Sequence, residues 1–209
     1  MTTNGALLSI ESLGRRFGAR EVVRSLSLTV EPGQRVALWG PNGSGKSTVL
    51  RCVAGTLIPS AGSVRIAGHT AGELAARRLV GASLSQERSF YLRLSGRTNL
   101  LFFARIRYDD RREGIRAVDA LIEELEIADI AGQRVDRCST GMVQQLALAR
   151  ALLGEPAVIL LDEPTRSLDA DARARLWGAL QRRPQAATVI ATHLDEDVTL
   201  CDERVSFPV

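Results

Sequence analysis

The 209 residues combine 45% hydrophobic with 24% charged side chains at a net charge of +3, a balance that suits one folded domain able to bury about 70% of its unfolded surface. It excludes a disordered chain, a basic nucleic-acid arm and any apolar run of the ~18 residues that a bilayer span requires. The N-terminus has neither a basic region nor an apolar one, and Cys52, Cys138 and Cys201 are odd in number without ligand spacing, so a cytoplasmic protein with reduced thiols is expected rather than a secreted or zinc-bound one.

In chain order, residues 7 to 36 read as short strands broken by Gly14, Gly18 and Pro32-Gly33, a β-rich entry. The apolar strand Gln34 to Trp39 runs into Gly40-Pro41-Asn42-Gly43-Ser44-Gly45-Lys46-Ser47-Thr48, and a helix from Ser47 to Ala54 follows, ended by Gly55. Strand, glycine-rich loop and helix in this order form the context of a phosphate-binding P-loop. The glycines let successive N–H groups face one anion, and the helix start adds its positive end. Of 27 basic residues, Lys46 alone is not Arg. A compact ammonium on a thin stem reaches phosphate oxygens where a planar guanidinium is too wide. The Ser47 hydroxyl would serve Mg²⁺.

Ser63 to Ala67 reads as a further strand. From Leu94 to Leu153 the pattern turns helical, with apolar residues at Ile115, Val118, Leu121, Ile122 and Leu125, which predicts a helical insertion at about 90–153. The basic tract Arg105 to Arg116 is interleaved with acids and reads as a solvated helical face. Ser139 precedes a helix from Met142 to Leu153, where it serves equally as an N-cap or, with Gly141, as an anion site at a helix start. Ala157 to Leu161 and Thr188 to Ala191 are continuous apolar runs suited to a parallel sheet covered on both faces, with a crossover helix from Asp169 to Leu180 between them. Asp162 ends the first run and would hold Mg²⁺ beside the phosphate loop, while Glu163 would orient water as a general base. His193 ends the second run and would present an imidazole N–H on the same edge.

The order GPNGSGKST, Gln86, CSTGM, VILLDEP, SLD and ATH, spread over nearly the whole chain, resembles the nucleotide-binding domain of ATP-binding cassette (ABC) proteins. The resemblance implies an α/β fold with a P-loop NTPase core, a mostly parallel sheet, an antiparallel β subdomain and a helical subdomain. It implies ATP and Mg²⁺ as ligands, with Ser47, Gln86 and Asp162 toward the metal, and Phe17, commonly Tyr in the family, stacking on adenine. Ser139 and Gly141 would bind ATP held by the P-loop of a second copy or a homologous ATPase subunit, and Asp169 would lie in a loop crossing that interface. Three departures accompany it: Thr140 and Met142 replace Gly and Gln of the usual signature, Arg166 stands where many members have Ser, and the chain stops soon after His193.

Ser-Thr-Gly-Met together with Glu87 to Ala104 resembles the ATPase subunits of ABC-2 type exporters. This implies a separate transmembrane permease subunit, no nucleic-acid partner and a position on the cytoplasmic face of the membrane. A soluble cassette ATPase of translation or DNA repair is the alternative, but the paired cassettes or long coiled coil usual there are absent. No Asn-Lys-x-Asp guanine motif supports a GTPase.

Overall fold

A computed structural model describes residues 5–84 and 89–207. The chain forms two compact units, one made of residues up to Val80 with Ala157–Glu163 and Gln185 onward, the other of Gly81–Pro156 and Pro164–Pro184.

The first unit opens on an antiparallel pair, β1 (Leu8–Phe17) and β2 (Arg20–Val30), paired from Leu8 opposite Val30 to Phe17 opposite Arg20. Gly18 turns between them at φ 59°. Gly14 does not break the strand as its residue type suggests. It lies inside β1, where the register slips between Leu13 and Arg15 and again between Arg15 and Arg16, because a bulge absorbs a glycine that an ideal ladder would not favour. After β3 (Arg35–Trp39) and helix α1 (Lys46–Val53), β4 (Ala61–Ile66) and the two-residue β5 (His69–Thr70) extend this sheet in the order β2-β1-β4-β5. Helix α2 (Leu74–Leu79) follows, and β6 (Val80–Ser83) carries the chain from this unit into the other.

The same unit holds β7 (Val158–Asp162), β8 (Ala187–Thr192), the short helix α8 (Asp195–Val198) and β9 (Glu203–Ser206). Its parallel strands lie in the order β7-β8-β3-β9. Every residue of β7 and β8 is buried, as continuous apolar runs require of a sheet covered on both faces.

The second unit is helical: α3 (Gly96–Arg107), α4 (Arg111–Glu124), α5 (Ala128–Gly132), a 3₁₀ turn at Val135–Arg137, α6 (Thr140–Leu152) and α7 (Ala170–Gln181). Val118 and Leu121 are buried and give α4 its inner face, which Leu125, also buried, continues just past the helix end. The Arg105 to Arg116 tract is not one helical face. It spans the end of α3 and the start of α4, with the Asp110 side chain accepting a hydrogen bond from the Arg112 N–H (2.9 Å) as the new helix cap.

Glu124 ends α4, where a carboxylate opposes the helix dipole. Two arginines following α7 compensate: Arg182 Nε donates to its Oε1 (2.9 Å), and Arg183 donates through Nη1 (2.8 Å) to Oε1 and through Nη2 (3.0 Å) to Oε2. Burial pushes the Glu124 pKa up, and the Arg183 and Arg182 bonds pull it down further, so that it ends below the ordinary carboxylate value. A group lowered in this way stabilises the fold above its unfolded pKa, and the contribution is lost as pH falls through the folded value. Glu124→Gln is therefore expected to lose about 1–3 kcal/mol at pH 7 by urea unfolding, because among the described residues Arg183 then keeps only its 3.6 Å ion pair to Glu155 as a charged partner. The gap to the wild type should be full above the ordinary carboxylate value and narrow as pH falls through the lowered folded value; a gap undiminished in strong acid would contradict this role.

Candidate active site

The parallel register decides which side chains meet. Leu38 pairs with Ala191 and Ala191 with Asp162, so β3, β7 and β8 end level with one another. Each releases its next residues on one edge of the sheet: the glycine loop after β3, Glu163 after β7, His193 after β8. Two backbone bonds tie these exits together, from the Gly40 N–H to the Thr192 carbonyl (3.4 Å) and from the Glu163 N–H to the Ala191 carbonyl (2.8 Å).

Lys46, the first residue of α1, is only 4% exposed. Its Nζ donates to the carbonyls of Gly40 (2.6 Å) and Pro41 (2.9 Å), so the loop curls around the ammonium. Gly45 permits that curl. Its φ is 106°, and a Cβ there would lie 2.8 Å from the Val22 carbonyl oxygen of β2. No side chain caps α1 and no acid lies in its first turn, which leaves its first N–H groups and the positive end of the dipole facing the loop. Ser44 Oγ is buried there without a hydrogen-bond partner, and Ser47 and Thr48 follow, half-buried. Hydroxyls, free N–H groups and one cation make up the donor set that phosphate oxygens require.

Asp162 is 4% exposed at the end of β7. Glu163 adopts φ 48°, a left-handed conformation uncommon outside glycine and concentrated at functional sites. One of its oxygens, Oε2, lies 2.7 Å from His193 Nδ1. An ionised carboxylate only accepts, so Nδ1 carries the proton and Nε2 is the nitrogen left for another partner. Glu163 Oε1 is buried without a hydrogen-bond partner. An acceptor oriented by a second residue, with one oxygen uncommitted, can position and deprotonate a water.

Sequence reasoning missed what holds His193 in place. Thr192 Oγ1 donates to Asp197 Oδ2 (3.0 Å) and accepts from the Leu194 N–H (3.1 Å), pinning the turn on both sides of the histidine. The one signal was an acid within a turn of His193, and a charged residue that becomes wholly buried, as Asp197 does, must be bonded. Phe17, at the end of β1, is 47% exposed, which excludes the alternative that it packs in the core.

The remaining sequence-derived positions belong to the second unit. Ser139 caps α6: its Oγ accepts from the Met142 N–H (3.3 Å), and the Ser139 N–H donates to Met142 Sδ (3.4 Å). Met142 thus completes a capping box through a thioether, a weak acceptor in the place where an amide or carboxylate is usual. Gly141 lies against the loop before α7, where a Cβ would come within 2.4 Å of the Ser167 carbonyl oxygen. Asp169 Oδ1 accepts from the Ala172 N–H (2.7 Å) and caps α7. Arg166 is exposed. Gln86 lies outside the described residues.

A glycine loop feeding a helix, with two carboxylates and a histidine on the same parallel edge, defines a P-loop nucleoside-triphosphatase. Its family follows from the sequence itself, because the profile of the ABC transporter family matches residues 23–166. The chain belongs to that family, and is an ATP-binding, ATP-hydrolysing domain within it. It is 33% identical over 208 residues to the ABC transporter ATP-binding protein NatA of Bacillus subtilis, covering 95% of this chain and 85% of that protein. It is 34% identical over 199 residues to the Nod factor export ATP-binding protein I of Rhizobium johnstonii, covering 93% of this chain but 64% of the relative, less than two thirds of its length. The dimeric post-hydrolysis structure of the ATP-binding cassette MJ0796, bound to ADP and Pi, shares the fold at a TM-score of 0.86 and 22% identity, covering 96% of this chain and 94% of that one.

Because Lys46 is enclosed between two carbonyls, Lys46→Arg is expected to reduce ATP hydrolysis by about 100-fold or more, although the charge is kept. Phosphate release measures it, and near-normal turnover would contradict the assignment of this loop.

Proposed function

We propose that this chain is the ATP-hydrolysing subunit of an ABC exporter, pairing with a second copy or a homologous ATPase subunit around two ATP molecules and working through a separate transmembrane permease. The observation that carries this reading is the Glu163–His193 bond at 2.7 Å on the edge that also holds Lys46 and Asp162. In it, Phe17 stacks on adenine, while Lys46 and the loop N–H groups of residues 40–48 hold the phosphates. Glu163 takes the proton of the attacking water, and His193 orients Glu163 and turns Nε2 toward the γ-phosphate.

Ser47, Gln86 and Asp162 would hold Mg²⁺. A hydroxyl, an amide and a carboxylate are the hard oxygen donors that ion prefers. When bound, it neutralises charge developing on the phosphate oxygens.

A head-to-tail pair would place Ser139 and Gly141 of one subunit on the ATP held by Lys46 of the other, with Asp169 in the loop at the interface. The dimer of the related cassette supports such a pairing here. Loss of the γ-phosphate would remove the bridge and release the pair, a bistable cycle able to drive a membrane partner. Expected for Glu163→Gln is retained ATP binding with very slow hydrolysis, so that ATP accumulates a dimer visible by size-exclusion chromatography. A monomer under saturating ATP and Mg²⁺, with or without the permease, would contradict the pairing.

Among the described residues no helix is long and apolar enough to cross a membrane, and in this reading the chain docks peripherally, at the cytoplasmic face, on a separate transmembrane permease. The second unit offers an apolar surface for it. Tyr91 (51% exposed) and Phe102 (44% exposed) meet edge to face at 5.0 Å, so both rings are partly open to solvent. Beneath them Phe90 is buried, and the Arg150 guanidinium lies 5.0 Å from its ring and 5.1 Å from that of Phe103. An exposed aromatic pair on a rigid base fits a short amphipathic helix. Tyr91→Ala is expected to leave the basal ATPase of the isolated chain within about twofold, since an exposed side chain adds little to the fold, while reducing permease co-purification and outward transport in vesicles. Unchanged co-purification would overturn this docking surface, and inward transport would overturn export.

A further inference from the structure

Phe17 has an unusual neighbour. The Arg15 guanidinium carbon lies 4.4 Å from the centre of the Phe17 ring, within cation–π range. Arg15 is not free to swing away, because its Nη1 donates to the Ile58 carbonyl (3.0 Å) and contacts Ser60 Oγ (3.5 Å). Ser60 is itself fixed to β1, its N–H donating to the Gly14 carbonyl (2.8 Å) and its Oγ accepting from the Arg16 N–H (3.1 Å). The guanidinium is therefore clamped between β1 and the loop that leaves α1, the helix begun by Lys46.

The same bulge brings this strand pair to the phosphate loop. Arg15 pairs with Val23 and Arg16 with Glu21, which leaves Val22 as the extra residue, and the Val22 carbonyl is the group a Cβ on Gly45 would strike. Phe17 thus ends a strand whose partner β2 packs against Gly45, and Arg15 covers one face of its ring. A phenyl ring has no hydroxyl with which to anchor itself, so its orientation depends on that contact.

Resting on the reading that Phe17 stacks on the base, we infer that Arg15 is a positioning residue for nucleobase recognition. It fills one face of Phe17 and presents the other to the purine, giving a three-layer stack of guanidinium, phenyl and base. The cation draws electron density from the ring and favours stacking on an electron-rich purine. Its contribution belongs to the base and not to the phosphates.

Titration calorimetry with Mg²⁺ present, using ADP and inorganic pyrophosphate as probes, separates the two. Arg15→Met, which keeps the stem and removes the charge, is expected to raise the Kd for ADP by roughly 2- to 5-fold and to leave the Kd for pyrophosphate within about 1.5-fold. Phe17→Ala should show the same selectivity, and Arg15→Met should add nothing on that background. If Arg15→Met lowers the melting temperature of the free protein, Arg15→Gln, which keeps an amide donor for the Ile58 carbonyl, is read instead with the same expectation. Equal losses for ADP and pyrophosphate, or no loss for ADP while Phe17→Ala weakens it, would overturn the role of Arg15 alone. No loss in Phe17→Ala would overturn the stacking role of Phe17 itself, and this inference with it.

Discussion

The level ends of β3, β7 and β8 are the constraint from which the chemistry follows. The ladder Leu38, Ala191, Asp162 is kept by side chains buried on both faces of the sheet. A shift of one residue in β7 would turn its side chains to the opposite face, replacing Asp162 by Leu161 at that place in the register. Because the five residues of β7 and the six of β8 are all buried, such a shift would disrupt the core as well as the site. The apolar interior thereby fixes where polar groups emerge, and the polar groups need only short loops to meet.

Those loops hold groups that a folded protein ordinarily avoids. Lys46 is a nearly buried cation held by two neutral carbonyls, Glu163 sits at a left-handed φ, and Ser44 Oγ and Glu163 Oε1 have no hydrogen-bond partners. Each costs stability on its own. A polyanionic substrate with an attacking water would satisfy the cation, the hydroxyl and the carboxylate oxygen at once, while the backbone strain at Glu163 stays in place, which is the physical meaning of preorganisation at this edge. The Thr192–Asp197 bond and the Glu163–His193 bond keep the arrangement from relaxing.

Much of this was legible in the chain. The strands feeding the site are unbroken apolar runs, Lys46 is the lone lysine among arginines, and Asp162-Glu163 and His193 stand at strand ends, so pattern and chemistry agree. Other features were not legible because they depend on contacts distant in sequence. β5 has two residues and α2 six, too short for a period to show. Gly14 reads as a break but becomes a bulge. Met142 reads from sequence only as a departure from the usual signature, and its thioether completing the cap of Ser139 appears only in the structure. Arg15 is one arginine of many until the loop after α1 folds back and clamps it over Phe17.

The central claim is that Glu163 and His193 act as one unit, the histidine holding the carboxylate through Nδ1 while its Nε2 faces the γ-phosphate. Single-turnover phosphate release from ATP by Glu163→Gln, His193→Ala and the double variant tests it most directly, because residues that act together are strongly non-additive. The double variant should be no slower than the slower single variant, within about threefold. Losses that multiply in the double variant would show that the two residues act independently, and would contradict the mechanism built on their bond.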